Sequence, residues 1–338
     1  MKAWEIVGED GIDGLVLNER PLPEPGPGQV LVKVSASSIN YRDLSTILDP
    51  AARAIPYPRI PNSDCAGTIT GLGDGVTDFK QGDRVMGCFF QNWIDGTITP
   101  EAMASAMGGA LDGVLAEYVV LEQSGIVATP DYLNDEEAAT LPCAALTAWN
   151  AVGGAHPVQD GDIVLLLGTG GVSVFAQQFS SILGGKTIVT SSSDEKLARI
   201  RDLGATETIN YANDADWEKT VLEMTDGRGV DRVVEVGGPG TLQKSITAVR
   251  VGGKVQLIGV LTGGTGAIQP VDIMRKSVTV RGIYVGSRNL FRQMNETISE
   301  HALRPVIDWT AAFADARAPY DKMKSATHFG KIVISLEK

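Results

Sequence analysis

The stretch IVLLLGTGGVSVFAQQF, Ile163 to Phe179, reads as an apolar strand, a glycine turn and a helix. Ile163 to Leu167 is a continuous apolar run, as expected of a strand buried on both faces. Val172, Phe175, Ala176, Phe179 and Leu183 then recur at helical spacing and give one buried face. The turn between them almost spells G-x-G-x-x-G, with Gly168 and Gly170 in place, Gly171 beside them and Ser173 where the third glycine belongs. The first glycine of that pattern permits the tight turn, and the second lets backbone approach a pyrophosphate. The third serves helix–strand packing. Ser173 adds only a hydroxymethyl group, so the phosphate chemistry survives. A helix N-terminus opening at Gly171 and Val172 offers unpaired N–H groups and partial positive charge to an anion.

Outward from this turn, strands and helices alternate. The stretches KTIVT, ETINY, VDRVVEV and KVQLIG are further strands, with a last candidate at VTVRGIYV. SDEKLARIRDLGA is a helix ending in glycine. Apolar strands each followed by a helix predict an α/β, doubly wound parallel sheet. About twenty residues beyond the glycine turn, an NAD site places an acid on the ribose 2′-hydroxyl. Here Ser191 stands there, followed by Ser192 and, one turn on, Lys196. Hydroxyls and a lysine suit a 2′-phosphate and favour NADPH over NADH. Asp194 and Glu195 oppose that reading, although Ser192 and Glu195 are also spaced as a capping box. Tyr211 either packs on the adenosine or is a strand-end aromatic.

The rest of the chain sets bounds. It has 338 residues, 43% hydrophobic and 21% charged, enough for two domains without disulfides. Cys65, Cys88 and Cys143 form no C-x-x-C pair, which argues against a disulfide framework or thiolate knuckle and for a reducing cytoplasm. The charged N-terminus carries no apolar core of a signal peptide, and no apolar run is long enough for a membrane span. A net charge of -12 repels a phosphate polymer, so nucleic acid is not an expected partner. The first third is β-rich, with QVLVKVSASSI, CAGTITGLG, GDRVMG and LAEYVVLEQ as strands. The segment 96–113 reads as a long loop, and Phe89, Phe90 and Trp93 before it line a pocket, a subunit contact or the core. DEEAATLPCAALTAWNAV reads as one helix with acids in its first turn, and GKIVISLEK as a strand returning to the first domain.

The sequence resembles the medium-chain dehydrogenase/reductase superfamily, in its zinc-independent, quinone-oxidoreductase-like branch. The resemblance rests on PGPGQVLVKVSASSINYRD, CAGTITGLGDGVTDFKQGDRV, EEAATLPCAALTAWNAV, GTGGVS, RDLGATETINY, GGKVQLIG and FGKIVI, in that order. It implies a β-rich GroES-like catalytic domain at 1–122 and 287–338 and a Rossmann NADP-binding domain at 123–286. The superfamily's zinc enzymes hold catalytic metal with cysteine, histidine and cysteine. Those places fall on Asn40, on Ser63 or Asp64, and on Cys143. One thiol does not make a three-ligand site, so no zinc is expected. Cys65 and Cys143 then read as small buried residues.

Without a Lewis acid, a simple ketone loses its main electrostatic support. A conjugated acceptor spreads charge to a distant oxygen, and hydrogen bonds suffice. The resemblance therefore implies an NADPH-dependent reductase of a small apolar quinone or α,β-unsaturated carbonyl. The alternatives are a metal-free alcohol dehydrogenase or aldehyde reductase, an enoyl-thioester reductase, and a non-catalytic NADPH-binding protein. Asn40 and Tyr41 are the catalytic candidates, as amide donor and as proton or hydrogen-bond donor; Asp43 orients the loop or pairs with Arg42. Quinone oxidoreductases carry a tyrosine a few residues on, where this chain has Ser45 and Thr46. Thr147, Ile258, Gly259, Val260, Tyr284 and Val285 match family positions around the nicotinamide. A homodimer is expected through the strand near VTVRGIYV.

Overall fold

The computed structural model describes residues 1–337. They form two compact units, one of residues 1–146 with 285–338 less the terminal residue, the other of residues 147–284. The second unit holds six parallel strands: β1 Ile163–Leu167, β2 Lys186–Ser191, β3 Glu207–Asn210, β4 Val230–Glu235, β5 Val249–Leu257 and β6 Thr279–Gly282. Their spatial order is 3-2-1-4-5-6, the doubly wound arrangement expected from the alternating pattern. The connecting helices are α1 Gly171–Ile182, α2 Asp194–Asp202, α3 Trp217–Met224, α4 Pro239–Ala248 and α5 Pro270–Arg275. The central strands are sealed: β1 is wholly apolar, β4 also buries Asp231, Arg232 and Glu235, and the side chains of Leu165, Leu166, Val233 and Val234 are all at zero exposure. Burial of each such side chain contributes roughly 1.5–3 kcal/mol against the entropy of ordering the chain.

Ser173 answers the question of the missing glycine. It is buried on α1, and its hydroxyl donates to the carbonyl of Leu167 at 2.7 Å, tying helix to strand. The site of close helix–strand packing therefore holds a side chain small enough to fit and polar enough to be satisfied.

In the first unit the strand Gln29–Ile39 is central. It pairs antiparallel with Asp64–Leu72, with Tyr118–Glu122 and with the C-terminal strand Lys331–Ser335. The seven-stranded sheet is completed by Ile307–Ala312, Arg84–Gly87 and Ile126–Ala128. The C-terminal GKIVIS segment thus does return to this unit.

Several local expectations change. Residues 123–146, read with the nucleotide domain, pack in the first unit. The strand Ile126–Ala128 extends its sheet, and Asp135 is ion-paired to Arg84 at 2.5 Å. The predicted helix across 135–152 breaks into Asp135–Ala138, a wide π-type turn at Leu141–Ala145 and Leu146–Val152. Pro142 has no N–H to continue the first segment. The 96–113 loop contains one helical turn, Pro100–Met103. Phe89, Phe90 and Trp93 are core residues, buried with Phe90 edge-on to both neighbours at 4.7 and 5.8 Å.

Replacing Ser173 by alanine removes a buried hydrogen bond and leaves the helix otherwise intact. Urea unfolding is expected to show a loss of about 0.5–1.5 kcal/mol, whereas unchanged stability would mean the strand–helix tie is not used.

Candidate active site

In the second unit the residues assigned to the cofactor gather where a parallel sheet offers them, at the carboxyl ends of its strands. Gly168 follows β1 with φ 74, a left-handed conformation that glycine adopts without strain. Gly170 is the residue before α1 and supplies no side-chain cap, so the first-turn N–H groups of a twelve-residue helix are left to another acceptor. Gly171 and Val172 are the first two residues of that helix. A pyrophosphate fits this end by charge and by hydrogen bonding.

Ser191 ends β2, buried, and its hydroxyl accepts the N–H of Ser193 at 3.3 Å. Ser192 is exposed. The cap of α2 is Ser193, whose hydroxyl accepts from the N–H of Lys196 at 3.3 Å. The Ser192–Glu195 capping box expected from spacing does not form; the cap sits one residue later and is one-sided, because the lysine side chain of Lys196 at the third helical position has no acceptor to return. Lys196 is held at the third helical position by that shift. Asp194 accepts from the side chain of Asn210 at 2.7 Å, which engages one of the two opposing carboxylates. Tyr211 follows β3, largely exposed, with its N–H on the carbonyl of Ser191 at 3.1 Å.

Ile258, Gly259 and Val260 form the loop after β5. The N–H groups of Ile258 and Gly259 donate to the carbonyl of Glu235, at 2.8 and 3.3 Å. The Glu235 carboxylate is fully buried and accepts from the N–H groups of Gly237 and Gly238 at 2.7 and 3.0 Å. It also accepts from the hydroxyls of Thr241, at 2.6 Å, and Ser245. Glu235 thus holds both loops, the one after β4 through its carboxylate and the one after β5 through its backbone carbonyl. Gly238 has φ 81, and a Cβ there would lie 2.8 Å from the Cα of Val260. The sequence reading passed over Glu235; an acid closing a buried strand just ahead of the glycine pair Gly237 and Gly238 was its signal. Thr147 is buried on the helix Leu146–Val152, and Tyr284 is exposed beyond β6.

Three assigned residues, Asn40, Tyr41 and Val285, belong to the first unit, with Asp43 beside the first two. Val285 is buried there with φ 59. A β-branched residue in that region carries strain of order 1–3 kcal/mol, a feature that clusters at working sites. Asn40 is buried and precedes the helix Tyr41–Leu48. Tyr41 is 49% exposed at the first position of that helix. Asp43 accepts the backbone N–H of Asn40 at 2.8 Å and the Arg42 guanidinium at 3.2 Å, so it both orients the loop and pairs with Arg42. Burial raises the Asp43 carboxyl above its ordinary range, against the lowering pull of Arg42.

The residue that sequence reasoning missed in this cluster is Lys331. It is buried at 3% exposure, and its ammonium donates to the carbonyl of Ile39 at 2.8 Å and to Oδ1 of Asn40 at 2.7 Å. It lies 4.0 Å from the Asp64 carboxylate. Asp64 accepts from the hydroxyls of Ser38 at 3.2 Å and Ser63 at 2.7 Å, and from the N–H of Cys143 at 3.3 Å. Lys331 opens KIVIS, a wholly buried strand. A charge inside such a run was the available signal.

This set does not fit a catalytic zinc. At the metal-ligand positions stand an amide, a hydroxyl beside a carboxylate, and one thiol, with an ammonium among them that would repel a second cation. Burial pushes the Cys143 thiol up. The residue as a whole keeps some exposure although its thiol is desolvated, while Cys65 is sealed in the core with its thiol pushed up to about 12. Among the described residues no cluster of three or more His, Cys, Asp or Glu is placed to hold a metal.

Comparison with known proteins agrees with this architecture. Residues 26–131 match the alcohol dehydrogenase GroES-like domain, and residues 171–300 match the zinc-binding dehydrogenase domain. A zinc-type alcohol dehydrogenase-like protein of Schizosaccharomyces pombe is 42% identical over 97% of this chain and 96% of its own. A solved NAD-dependent alcohol dehydrogenase superposes with a TM-score of 0.90 at 29% identity, covering 99% of this chain and 100% of that one. The 2-octenoyl-CoA carboxylase reductase CinF, solved with NADP and 2-octenoyl-CoA, gives 0.89 at 26% identity, covering 99% and 87%. With a GroES-like domain, a doubly wound nucleotide fold and a relative of this identity along nearly its whole length, the chain is an oxidoreductase of the medium-chain dehydrogenase/reductase superfamily.

Proposed function

We propose that the protein is a zinc-independent, NADPH-dependent reductase of a small apolar α,β-unsaturated carbonyl or quinone. The observation that carries this reading is the pairing of a buried ammonium with Asn40 and Asp64 at the superfamily's metal position. That arrangement offers hydrogen-bond donors and no Lewis acid. An acceptor whose developing charge is spread by conjugation needs no more than that. The 2-octenoyl-CoA bound to CinF is a conjugated substrate of this kind.

When bound, NADPH supplies a hydride from C4 of its nicotinamide. The N–H groups at the start of α1 hold the pyrophosphate. Ser191, Ser192 and Lys196 take the 2′-phosphate, and Tyr211 covers the adenosine. Backbone at Ile258, Gly259, Val260, Tyr284 and Val285, with Thr147, orients the nicotinamide. Nδ2 of Asn40 is buried without a protein partner and donates to the substrate oxygen as negative charge develops there. Tyr41, exposed at the helix start, delivers the proton. Three thiols outside any disulfide suit a reducing cytoplasm. Strand β6 is one of the two edges of its sheet, and pairing of two such strands would make a homodimer.

Three outcomes test this reading. NADPH oxidation should proceed with 2-alkenals or quinones and not with saturated aldehydes; turnover of saturated alcohols alone would contradict it. The exposed substitution Ser192→Asp, which sets a carboxylate against the 2′-phosphate, should lower the NADPH-over-NADH preference in kcat/KM by about tenfold or more. Protein produced in zinc-supplemented medium should contain well under one zinc per chain by elemental analysis, and dialysis against a chelator should leave its activity unchanged. For assembly, light scattering should give twice the chain mass, and a monomer would refute the edge-strand dimer.

A further inference from the structure

The buried cation has a role that goes beyond excluding metal. An ammonium has three donors and no acceptor. The carboxamide of Asn40 can therefore face Lys331 only with its oxygen, whichever way an isolated amide would turn. The contact is 2.7 Å long and buried. A planar amide held by its oxygen presents its nitrogen on the opposite arm. That nitrogen, Nδ2, is buried and meets no protein acceptor. A sealed donor left unmatched is costly unless something else completes it.

The surroundings hold both ends of the contact. Asp43 takes the backbone N–H of Asn40, and Ile39 offers its carbonyl to Lys331, so neither residue can swing away without losing a second bond. The charged groups near Asn40 pair off by sign, Arg42 with Asp43 at 3.2 Å and Lys331 with Asp64 at 4.0 Å. The amide is thus a fixed donor in a locally balanced field.

We infer that Lys331 is a positioning residue: its ammonium locks the Asn40 carboxamide so that Nδ2 is the group offered to a substrate oxygen. This rests on the reductase reading above. The consequence is a division of labour in which Lys331 never touches substrate, and its removal leaves Asn40 free to turn its oxygen, an acceptor, toward the developing negative charge.

The test has two arms. In kinetics with a 2-alkenal, Lys331→Met should lower kcat by about 10–100-fold, with the KM for NADPH within about twofold of the parent. Lys331→Arg should recover part of the loss. Lys331→Met combined with Asn40→Ala should be no slower than Asn40→Ala alone. Unchanged kcat, or losses that multiply in the double variant, would overturn the inference. In the second arm, full-length protein labelled with 15N-asparagine should show an Asn40 side-chain NH2 pair, identified by its loss in Asn40→Ala. That pair should be well dispersed, should collapse toward free-amide shifts in Lys331→Met, and should persist in Lys331→Arg. A pair that does not move in a folded Lys331→Met protein overturns the inference. Lys331→Gln serves both arms if the methionine variant fails to fold. If the parent protein reduces no conjugated acceptor, the reductase reading fails while the amide resonance still decides the role of Lys331.

Discussion

A lysine ammonium sealed in a protein core must find acceptors, and at Lys331 it finds the Ile39 carbonyl and the Asn40 carboxamide, with Asp64 nearby. The desolvation of such a charge is severe, and removal of one partner would leave the other buried and exposed to the full penalty. The requirement reaches well beyond the residue. It ties the C-terminal strand to the end of the central strand Gln29–Ile39, beside which Ile332 pairs with Ile39. It also sets which atom of Asn40 remains available. Chain closure and site chemistry in the first unit therefore rest on the same ion.

The nucleotide-binding unit depends on a different economy of groups. A parallel sheet delivers every turn of interest to one edge, and the turns need only be held in shape. Ser173 does this for the first turn through the Leu167 carbonyl, and Glu235 does it for the loop after β4 through four donors to its carboxylate and for the loop after β5 through its backbone carbonyl. These polar groups are satisfied within the protein, which leaves the first-turn N–H groups of α1 for a ligand. In the proposed reading, the choice between the two nicotinamide dinucleotides would fall to a few side chains after β2.

Much of this was legible in the residues. The run from Ile163 to Phe179 announced its strand, turn and helix because burial on both faces and a 3.6-residue period leave a plain pattern. The doubly wound order followed from the repetition of that unit. Asp43 was read correctly as an anchor of the loop. What the pattern could not show were decisions made by tertiary partners. The helix across 135–152 was misread because composition outvoted Pro142. The cap of α2 moved from Ser192 to Ser193 because three serines in a row make the spacing ambiguous. Residues 123–146 joined the first unit because Ile126–Ala128 found a strand partner in a segment some forty residues upstream. Lys331 escaped notice because its three neighbours, Ile39, Asn40 and Asp64, lie far away in the chain.

The central claim is that this protein activates its acceptor with fixed hydrogen-bond donors, so that hydride goes to a carbon conjugated with the carbonyl. The most direct measurement is the fate of a label. Chelator-dialysed protein would be incubated with NADPH deuterated at the transferred C4 position and a 2-alkenal, and the product examined by NMR. The account predicts deuterium at the β-carbon of a saturated aldehyde. Deuterium at the carbonyl carbon, with the double bond intact, would contradict it.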